Sequence, residues 1–238
     1  MFLDMKGLLQ TVRHREIPEA SLRRLPIYYR FLQQMRIEGV AQVSCADLAR
    51  GLGLDPTQVR KDVEMTGIVG RPRVGYPLAD LVAWLENFLG WNRPKAAVLA
   101  GAGSLGSALL GYERFRTHGM EIVATFDIDP EKIGRQIHGR EVQPLASLPD
   151  FVRRNHTLLG VVATPADQAQ SVTNLMMAAG ICAIWNFSPA HIQVPERVIL
   201  QNEDLYHSLA SLSFKLESLM GVPPFESETS YAEDNRCN

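Results

Sequence analysis

The segment KAAVLAGAGSLGSALL, residues 95–110, combines a short apolar run with three glycines in the pattern G-x-G-x-x-G. These glycines are Gly101, Gly103 and Gly106, and they lie between a predicted buried strand and a predicted helix. In that position the first glycine permits a tight turn, the second lets a pyrophosphate approach the backbone, and the third lets the helix pack on the strand. The segment therefore predicts a Rossmann domain with phosphate bound at the start of the helix.

The next predicted strand, EIVATFD, ends at Asp127, which lies 21 residues beyond Gly106. A carboxylate at this place accepts hydrogen bonds from ribose hydroxyls and repels a 2′-phosphate. We therefore expect NADH and NAD⁺ as cofactors rather than the phosphorylated forms. Asp129, in DPEK at residues 129–132, is predicted to be the N-cap of a helix and thus structural.

Strand and helix patterns continue to alternate to residue 204, as in LLGVVAT (158–164) and PADQAQSVTNLMMAAG (165–180). This alternation predicts a doubly wound α/β fold, in which ligands lie beyond the carboxyl ends of the strands. The expected cofactor-binding residues are therefore Gly101, Ala102, Gly103, Ser104, Leu105, Gly106, Asp127, Thr164, Pro165, Asn186 and Phe187.

The first part of the chain has helical spacing instead. Apolar residues share one helical face that is predicted to pack inward, and Ser44 with Asp47 three residues later predicts a capped second helix. The residues of this face are Leu22, Leu25, Tyr29, Leu32 and Met35. Asp55 followed by Pro56 predicts the start of a third helix that runs to about Thr66. Two short helices around a glycine-containing turn are typical of a helix-turn-helix.

The third helix carries TQVRKD, residues 57–62. If Val59 and Val63 face the core, polar and basic side chains project outward, and these types contact base edges and phosphates. IVGRPRVGYP (68–77) predicts a basic hairpin wing, and LADLVAWLENFLG (78–90) a closing helix. The expected DNA-binding residues are Ser44, Thr57, Gln58, Arg60, Lys61, Arg71, Arg73 and Tyr76.

The final helix, DLYHSLASLSFKLESLMG (204–221), carries leucines at alternating steps of four and three. Such a seam needs an apolar surface, supplied either by its own domain or by a second subunit. We expect a winged-helix domain at 1–90, a Rossmann domain at 91–203, a dimerisation helix at 204–220 and a disordered tail at 221–238. The seam residues are Leu205, Leu209, Leu212, Leu216 and Leu219.

Composition narrows the class of protein. The chain has 238 residues, a formal net charge of -2 and 46% hydrophobic residues, which suits two folded domains. No signal peptide and no membrane-spanning run is recognisable, so we expect a cytoplasmic protein. Cys45, Cys182 and Cys237 are too far apart for a predicted metal site, and a redox role for Cys45 or Cys237 has no supporting neighbour.

From about Ile17 to Leu219 the chain resembles the Rex family of redox-sensing repressors. The resemblance rests on RRLPIYYRFL, QVRKD, VGY, GAGSLGSAL, FDIDPEKIG, AAGI…NFSP and EDL…LSFKL, which stand in that family's order. It implies a homodimer with a winged helix and a Rossmann domain on each subunit and a C-terminal helix swapped onto the partner. It also implies that NADH moves the two DNA-binding heads out of register with a palindromic operator.

The resemblance assigns three more residues. Tyr112 looks like the family tyrosine beside the nicotinamide, and Asp204 like the carboxylate that opens the swapped helix. Arg30 looks like the arginine that pairs with this carboxylate across the domain contact. An ion pair present in one closure state only would act as a switch.

The chain departs from the family after QVRKD, where Leu-Ser-Tyr-Phe-Gly is usual and Val63, Glu64, Met65, Thr66 and Gly67 stand here. GRPRVGY alters the wing, and NFSP has serine where alanine is common. Glu64 brings negative charge near the phosphates, so the operator is a variant one or DNA binding is reduced.

Two other functions compete with an NADH-released repressor. A regulator that binds NAD(H) but acts through a protein partner is compatible with Glu64. A dehydrogenase would share the glycine pattern, but the chain is too short for a substrate domain and no histidine falls in a catalytic motif. We therefore expect no enzyme activity.

Overall fold

The structure is a computed structural model that describes residues 17–72 and 74–221. The predicted wing residue Arg73, Cys237 and the tail from residue 222, for which we predicted disorder, lie outside the described residues. The chain divides into two compact units, and the division after Pro94 lies close to the predicted boundary. The first unit also contains Arg114–Glu121, where the His118 ring lies 4.4 Å from that of Trp91.

The first unit is helical with a small two-stranded sheet. Its core is formed by apolar side chains from four helices and both strands. The elements are α1 (Glu19–Ile37), β1 (Gln42–Val43), α2 (Cys45–Leu52), α3 (Pro56–Met65), β2 (Tyr76–Pro77) and α4 (Leu78–Phe88).

Side-chain caps fix the starts of α2 and α3. The Asp47 N–H donates to Ser44 Oγ at 3.2 Å and the Ser44 N–H donates to Asp47 Oδ2 at 3.0 Å, which confirms the predicted capping box. Asp55 Oδ1 accepts from the Gln58 N–H at 2.9 Å, with Pro56 at the first helical position. The caps satisfy N–H groups that have no partner within their helices.

The buried face of α1 differs from the predicted one. Leu25, Tyr28 and Leu32 are buried, whereas Tyr29 is only partly buried. Tyr28 turns inward because its hydroxyl has a buried partner on α3, Asp62, at 2.6 Å. A buried hydroxyl needs such a partner, and spacing along α1 does not reveal it.

The segment predicted as a hairpin wing contains strand β2 and a tight turn before it. β1 pairs antiparallel with β2, with Val43 opposite Tyr76. The turn before β2 is closed by two backbone bonds between Arg71 and Gly75, at 2.7 and 3.0 Å. Tyr76 is only 9% exposed and belongs to the core, so its expected place on the DNA-binding surface is corrected to a packing role.

The second unit is a sheet covered by helices. Its elements are β3 (Lys95–Ala100), α5 (Ser104–Leu110), β4 (Met120–Asp127), β5 (Gln136–Ile137), β6 (Arg140–Pro144), α7 (Leu148–Asn155), β7 (Leu159–Val162), α8 (Ala166–Ala179), β8 (Ala183–Asn186), β9 (Ile199–Asn202) and α9 (Leu205–Leu219). The short helix α6 (Arg114–Thr117) and the first residues of β4 group with the first unit.

The sheet has the order β5-β6-β4-β3-β7-β8-β9. β6 runs parallel to β4, and β3, β7, β8 and β9 run parallel to one another, whereas β5 pairs antiparallel at the edge. Without β5 this is the strand order of the dinucleotide-binding Rossmann fold. The order reverses between β3 and β7, and a ligand cleft is expected beyond the carboxyl ends of these two strands.

Three local features differ from the sequence interpretation. The hairpin β5–β6 and helix α7 were not anticipated, because short exposed strands carry a weak pattern. DPEK does not begin a helix. Asp129 Oδ1 accepts from the Glu131 N–H at 2.9 Å, and the backbone closes a turn that leads to Gly134.

Helix α9 leaves its apolar seam uncovered. Leu209, Leu212, Leu216 and Leu219 are between 54% and 85% exposed, so packing on their own unit does not cover them. A second subunit stays the predicted surface for this seam. Within the described ranges, no helix is long and apolar enough to cross a membrane.

Candidate functional sites

The glycine turn after β3 is shaped by close backbone approach. Gly101 has φ +100°, and a Cβ there would overlap the carbonyl oxygen of Ala163 after β7. A Cβ on Gly106 would overlap the carbonyl oxygen of Gly101, so this glycine lets α5 pack on the turn. Nothing lies within 4 Å of a Cβ built on Gly103. The second glycine thus leaves open the approach that a pyrophosphate would use.

Asp127 ends β4 beside this turn and is 7% exposed. Its Oδ2 accepts from the Ala102 N–H at 2.7 Å and its Oδ1 from the Asp129 N–H at 2.9 Å. Burial opposes ionisation, but the two amides and Lys132 outweigh it and hold the pKa of Asp127 below its ordinary value. The carboxylate is therefore ionised at neutral pH.

Lys132 is a site residue that sequence reasoning missed. Its ammonium lies 3.4 Å from Asp127 Oδ2 and 3.3 Å from Asp129 Oδ2, and burial lowers its pKa less than the two carboxylates raise it. The signal was present in DPEK, because a lysine in a turn after an acidic strand end can fold back onto that end. Lys132 partly neutralises the charge that Asp127 brings to the cleft.

A cleft of about 620 Å³ opens at the point where the strand order reverses. A second cavity of about 640 Å³ shares Leu105, Phe187 and Pro189 with it and extends to Asp204 and Tyr206 at the start of α9. Of the expected cofactor-binding residues, the cleft is lined by Gly101, Gly103, Ser104, Leu105, Asp127, Thr164, Pro165 and Phe187.

These residues fit a dinucleotide. Thr164 Oγ1 is buried without a hydrogen-bond partner among the described residues, and Thr164 lines the cleft. Buried hydroxyls are nearly always satisfied, so the orphaned atom indicates a polar group of a ligand or an ordered water. An open glycine turn, an ionised carboxylate and an unsatisfied hydroxyl suit pyrophosphate and ribose chemistry.

The other expected cofactor residues do not line the cleft, although Asn186 lines the second cavity. Ala102 is buried and its N–H is used by Asp127, and Gly106 is buried in the turn. Asn186 is buried, and its amide joins Ala190 O at 3.1 Å and Asn202 Oδ1 at 2.9 Å. Asn186 therefore positions the loop after β8. Tyr112 is 49% exposed and lies in the lining of neither cavity.

The outer face of α3 is polar, as predicted. Thr57, Arg60 and Lys61 are exposed, and Glu64 is exposed on the same helix. Arg71 is exposed at the wing turn. The Ser44 hydroxyl is occupied, because it donates to Asp47 Oδ2 at 2.6 Å within the capping box.

Gln58 is partly buried rather than fully outward, because its amide donates to Asp62 Oδ1 at 3.0 Å. Asp62 also pairs with Arg24 of α1. Sequence reasoning singled out neither Asp62 nor Arg24, since QVRKD suggests an exposed acid. Arg30 and Asp204, the predicted switch residues, are both exposed. Asp204 Oδ1 caps α9 by accepting from the Tyr206 N–H at 2.8 Å.

A winged helix-turn-helix unit and a Rossmann unit on one chain define a DNA-binding protein with a nucleotide-binding domain. Comparison with known proteins agrees with this class. A family model described as "Putative DNA-binding protein N-terminus" matches residues 16–63, and one described as "CoA binding domain" matches residues 92–190.

Curated relatives specify the family. The chain is 42% identical to the redox-sensing transcriptional repressor Rex of Treponema denticola over 86% of its length and 98% of the relative. It is 41% identical to Rex of Porphyromonas gingivalis over 86% and 94%. The chain belongs to the Rex family of redox-sensing transcriptional repressors. This membership decides against the dehydrogenase alternative.

Solved structures agree. RSP in complex with NAD⁺ and operator DNA matches with a TM-score of 0.82 at 34% identity, covering 86% of this chain and 94% of RSP. RSP in complex with NADH matches with a TM-score of 0.78 at 33% identity, covering 86% and 96%.

Proposed function

We propose that this repressor binds a palindromic operator as a homodimer and releases it when NADH occupies the cleft of the Rossmann unit. The observation that carries the proposal is the cleft itself, with its open glycine turn and the ionised Asp127 beside it. RSP, which shares the fold, binds NAD⁺ together with operator DNA and also binds NADH. Because operator DNA is the partner, we place the protein in the cytoplasm.

Asp127 supports NAD(H) over other adenine nucleotides. A carboxylate that stays ionised near the ribose repels a phosphate on that sugar, whether on the 2′-hydroxyl of NADP or the 3′-hydroxyl of coenzyme A. The "CoA binding domain" description therefore suits the fold of this unit better than its ligand. Lys132 weakens the repulsion of such a phosphate because it brings a positive charge to Asp127 and Asp129. The two carboxylates still leave a net negative charge, so the preference for NAD(H) is kept.

For DNA binding we propose a surface made of Thr57, Gln58, Arg60 and Lys61 on α3, with Arg71 and Arg73 from the wing. Arg60, Lys61 and Arg71 are exposed and basic, which suits phosphate contacts. We assign Ser44 a capping role beside this surface.

Glu64 favours the second candidate, an NAD(H)-binding regulator that acts through a protein partner, because its exposed charge opposes phosphate binding.

For the cofactor we retain Tyr112 at the nicotinamide, where the resemblance puts it.

The test is a fluorescence anisotropy titration of palindromic duplexes at low salt, with NAD⁺, with NADH and without cofactor. We expect binding without cofactor and with NAD⁺, and its loss with NADH. Isothermal calorimetry with each nucleotide runs in parallel. NADH binding without DNA binding under any condition would support the protein-partner regulator instead.

Arg60→Ala provides the matched variant for this test. In the homodimer this change removes one phosphate contact from each subunit, so it should lower DNA affinity and reduce the slope of log affinity against log salt by about 2, while NADH affinity stays unchanged. Arg153→Ala, which removes an exposed arginine on α7, is the control and should leave both affinities as they are. Equal loss of DNA and NADH binding in Arg60→Ala would indicate a folding defect.

A further inference from the structure

The recognition helix α3 contains a fully buried carboxylate. Both oxygens of Asp62 are occupied, and its side chain is 0% exposed. The Arg24 guanidinium donates Nε to Oδ2 at 2.6 Å and Nη2 to Oδ1 at 2.9 Å. The Tyr28 hydroxyl donates to Oδ2 at 2.6 Å, and Gln58 Nε2 donates to Oδ1 at 3.0 Å. One carboxylate thus joins two residues of α1 to the first turn of α3.

Stability alone does not explain this arrangement. Removing a carboxylate from water costs about as much as its ion pair returns, so an apolar pair of similar volume would hold the helices together equally well. A forked arginine bond adds direction, because both of its N–H groups must meet both oxygens. The network therefore fixes the rotation of α3 and the place of Asp62 within it.

Gln58 takes its orientation from this carboxylate. A carboxylate only accepts hydrogen bonds, so the amide must present its nitrogen to Asp62 and not its oxygen. The bond uses one of the two amide hydrogens, which leaves the other N–H and Oε1 for another partner. An adjacent donor and acceptor match N7 and N6 of adenine in the major groove.

Fixing the amide also lowers the cost of binding. A free glutamine side chain loses rotamer freedom when it docks, and that loss subtracts from affinity and from discrimination between bases. Arg24 and Tyr28 hold the carboxylate before DNA arrives, so Gln58 is already ordered.

We propose that Gln58 reads an adenine in each operator half-site and that Asp62, held by Arg24 and Tyr28, is the residue that positions its amide. The inference rests on the proposed operator binding. It adds a specificity-determining residue and its support to a helix whose basic side chains contact phosphates.

A double-mutant cycle on base preference tests it. Full-length wild-type protein selects duplexes from a randomised pool, and each base pair of the selected site is then substituted in anisotropy titrations. Gln58→Ala should lose about 5- to 150-fold of discrimination at one symmetric A·T pair, the range for one bidentate contact. Asp62→Asn should lose discrimination at the same pair, and the double variant should lose no more than Gln58→Ala.

The salt dependence separates positioning from folding. Gln58 carries no charge, so Gln58→Ala should keep the wild-type salt slope and the affinity for random duplexes. Asp80→Asn, the same change at an exposed carboxylate of α4, is the control and should keep the base preference. If Asp62→Asn does not fold by circular dichroism, Arg24→Lys replaces it in the cycle, because lysine keeps the charge and loses the fork.

If Gln58→Ala and Asp62→Asn each weaken binding to every duplex by the same factor, and if their effects add in the double variant, the inference is overturned and Asp62 is purely structural. An unchanged base preference in Gln58→Ala would also overturn it. A wild-type protein that binds no duplex would contradict operator binding itself, and the inference would fall with it.

Discussion

Asp127 shows how one side chain can serve both the fold and the ligand. Its Oδ2 holds the Ala102 N–H of the glycine turn, and its Oδ1 holds the start of the next turn through Asp129. Oδ2 also accepts from the Lys132 ammonium at 3.4 Å, whereas Oδ1 can accept a further bond. The residue can therefore meet a ribose hydroxyl without giving up its structural contacts.

Asp127→Arg should reverse the cofactor preference. Losing a charged hydrogen bond to the ribose should weaken NADH binding about 10- to 150-fold, and the new cation should admit NADPH. Fluorescence titration with both nucleotides measures this. Asp127→Asn is the matched control, because it keeps an acceptor for the Ala102 N–H without the charge. Its NADH affinity should lie between those of the wild type and Asp127→Arg. An unchanged preference in Asp127→Arg would mean that the ribose lies elsewhere.

Asp62 should make the first unit sensitive to acid. Burial raises the pKa of Asp62, but hydrogen bonds from Arg24, Tyr28, Ser21 and Gln58 outweigh it and hold the pKa below the ordinary value. The pKa of Asp62 is lower in the folded protein than in the unfolded chain. Ionised Asp62 therefore contributes its full share of the free energy of unfolding above pH ~4, and this share is lost as the pH falls further.

The free energy of unfolding should therefore fall less steeply with decreasing pH in Asp62→Asn than in the wild type. Below pH ~4 the slope should be smaller by up to about 1.4 kcal/mol per pH unit. The substitution should also lower that free energy by about 3 kcal/mol at neutral pH, since Arg24 is left without its partner. Guanidinium denaturation in a Trp185→Phe background measures both, because Trp84 and Trp91 then report on the first unit. An equal acid slope in both proteins would contradict the ionised Asp62.

At the scale of elements, α9 is the helix for which we predict a partner outside its own unit. Its N-terminus is capped by Asp204, yet Leu209, Leu212, Leu216 and Leu219 are exposed. Most helical stability in proteins comes from burying an apolar face. A seam of regular leucines is what two such helices bury against each other in a dimer.

Leu212→Glu should dissociate the predicted homodimer. Each buried leucine contributes about 1.5–3 kcal/mol, and a symmetric interface loses two, so the dissociation constant should rise at least about 100-fold. Sedimentation equilibrium measures it. Ser211→Glu adds the same charge one residue away, off the seam, and should leave the dimer intact. A dimer unaffected by Leu212→Glu would place the interface on another surface.

At the scale of the whole molecule, regulation requires that cofactor binding change the free energy of DNA binding. The resemblance assigns this coupling to an ion pair between Arg30 and Asp204. Asp204 also caps α9 through the N–H groups of Tyr206 and His207, at 2.8 and 3.2 Å. Removing the whole side chain would therefore disturb helix and switch together.

Asp204→Asn separates these two roles, because asparagine caps a helix as well as aspartate does but carries no charge. We expect an intact dimer and a smaller effect of NADH on operator affinity. Anisotropy titrations with and without NADH measure this coupling. Arg30→Gln should give the same reduction, and the double variant no further one. Additive losses would show that the two residues act separately.

Several features were predictable because a few neighbouring residues encode them. The glycine turn, the strand that ends at Asp127 and the caps at Ser44 and Asp55 are all decided within about six residues. Backbone conformation and capping bonds are local, so their patterns remain legible in the sequence. These signals were sufficient to identify both units and the principal cleft.

Other features depend on residues that only the tertiary structure brings together. Arg24 and Asp62 are separated by 38 positions, and no local pattern indicates that a carboxylate in a polar helix is buried. The inward turn of Tyr28 and the burial of Tyr76 follow from neighbours that folding supplies. The sequence by itself determined the capped helices, the strand before the glycine turn and the place where a dinucleotide fits, because those are short-range properties. Packing between distant elements decided which polar side chains are held in place, because a buried group must find its partner wherever the fold provides one.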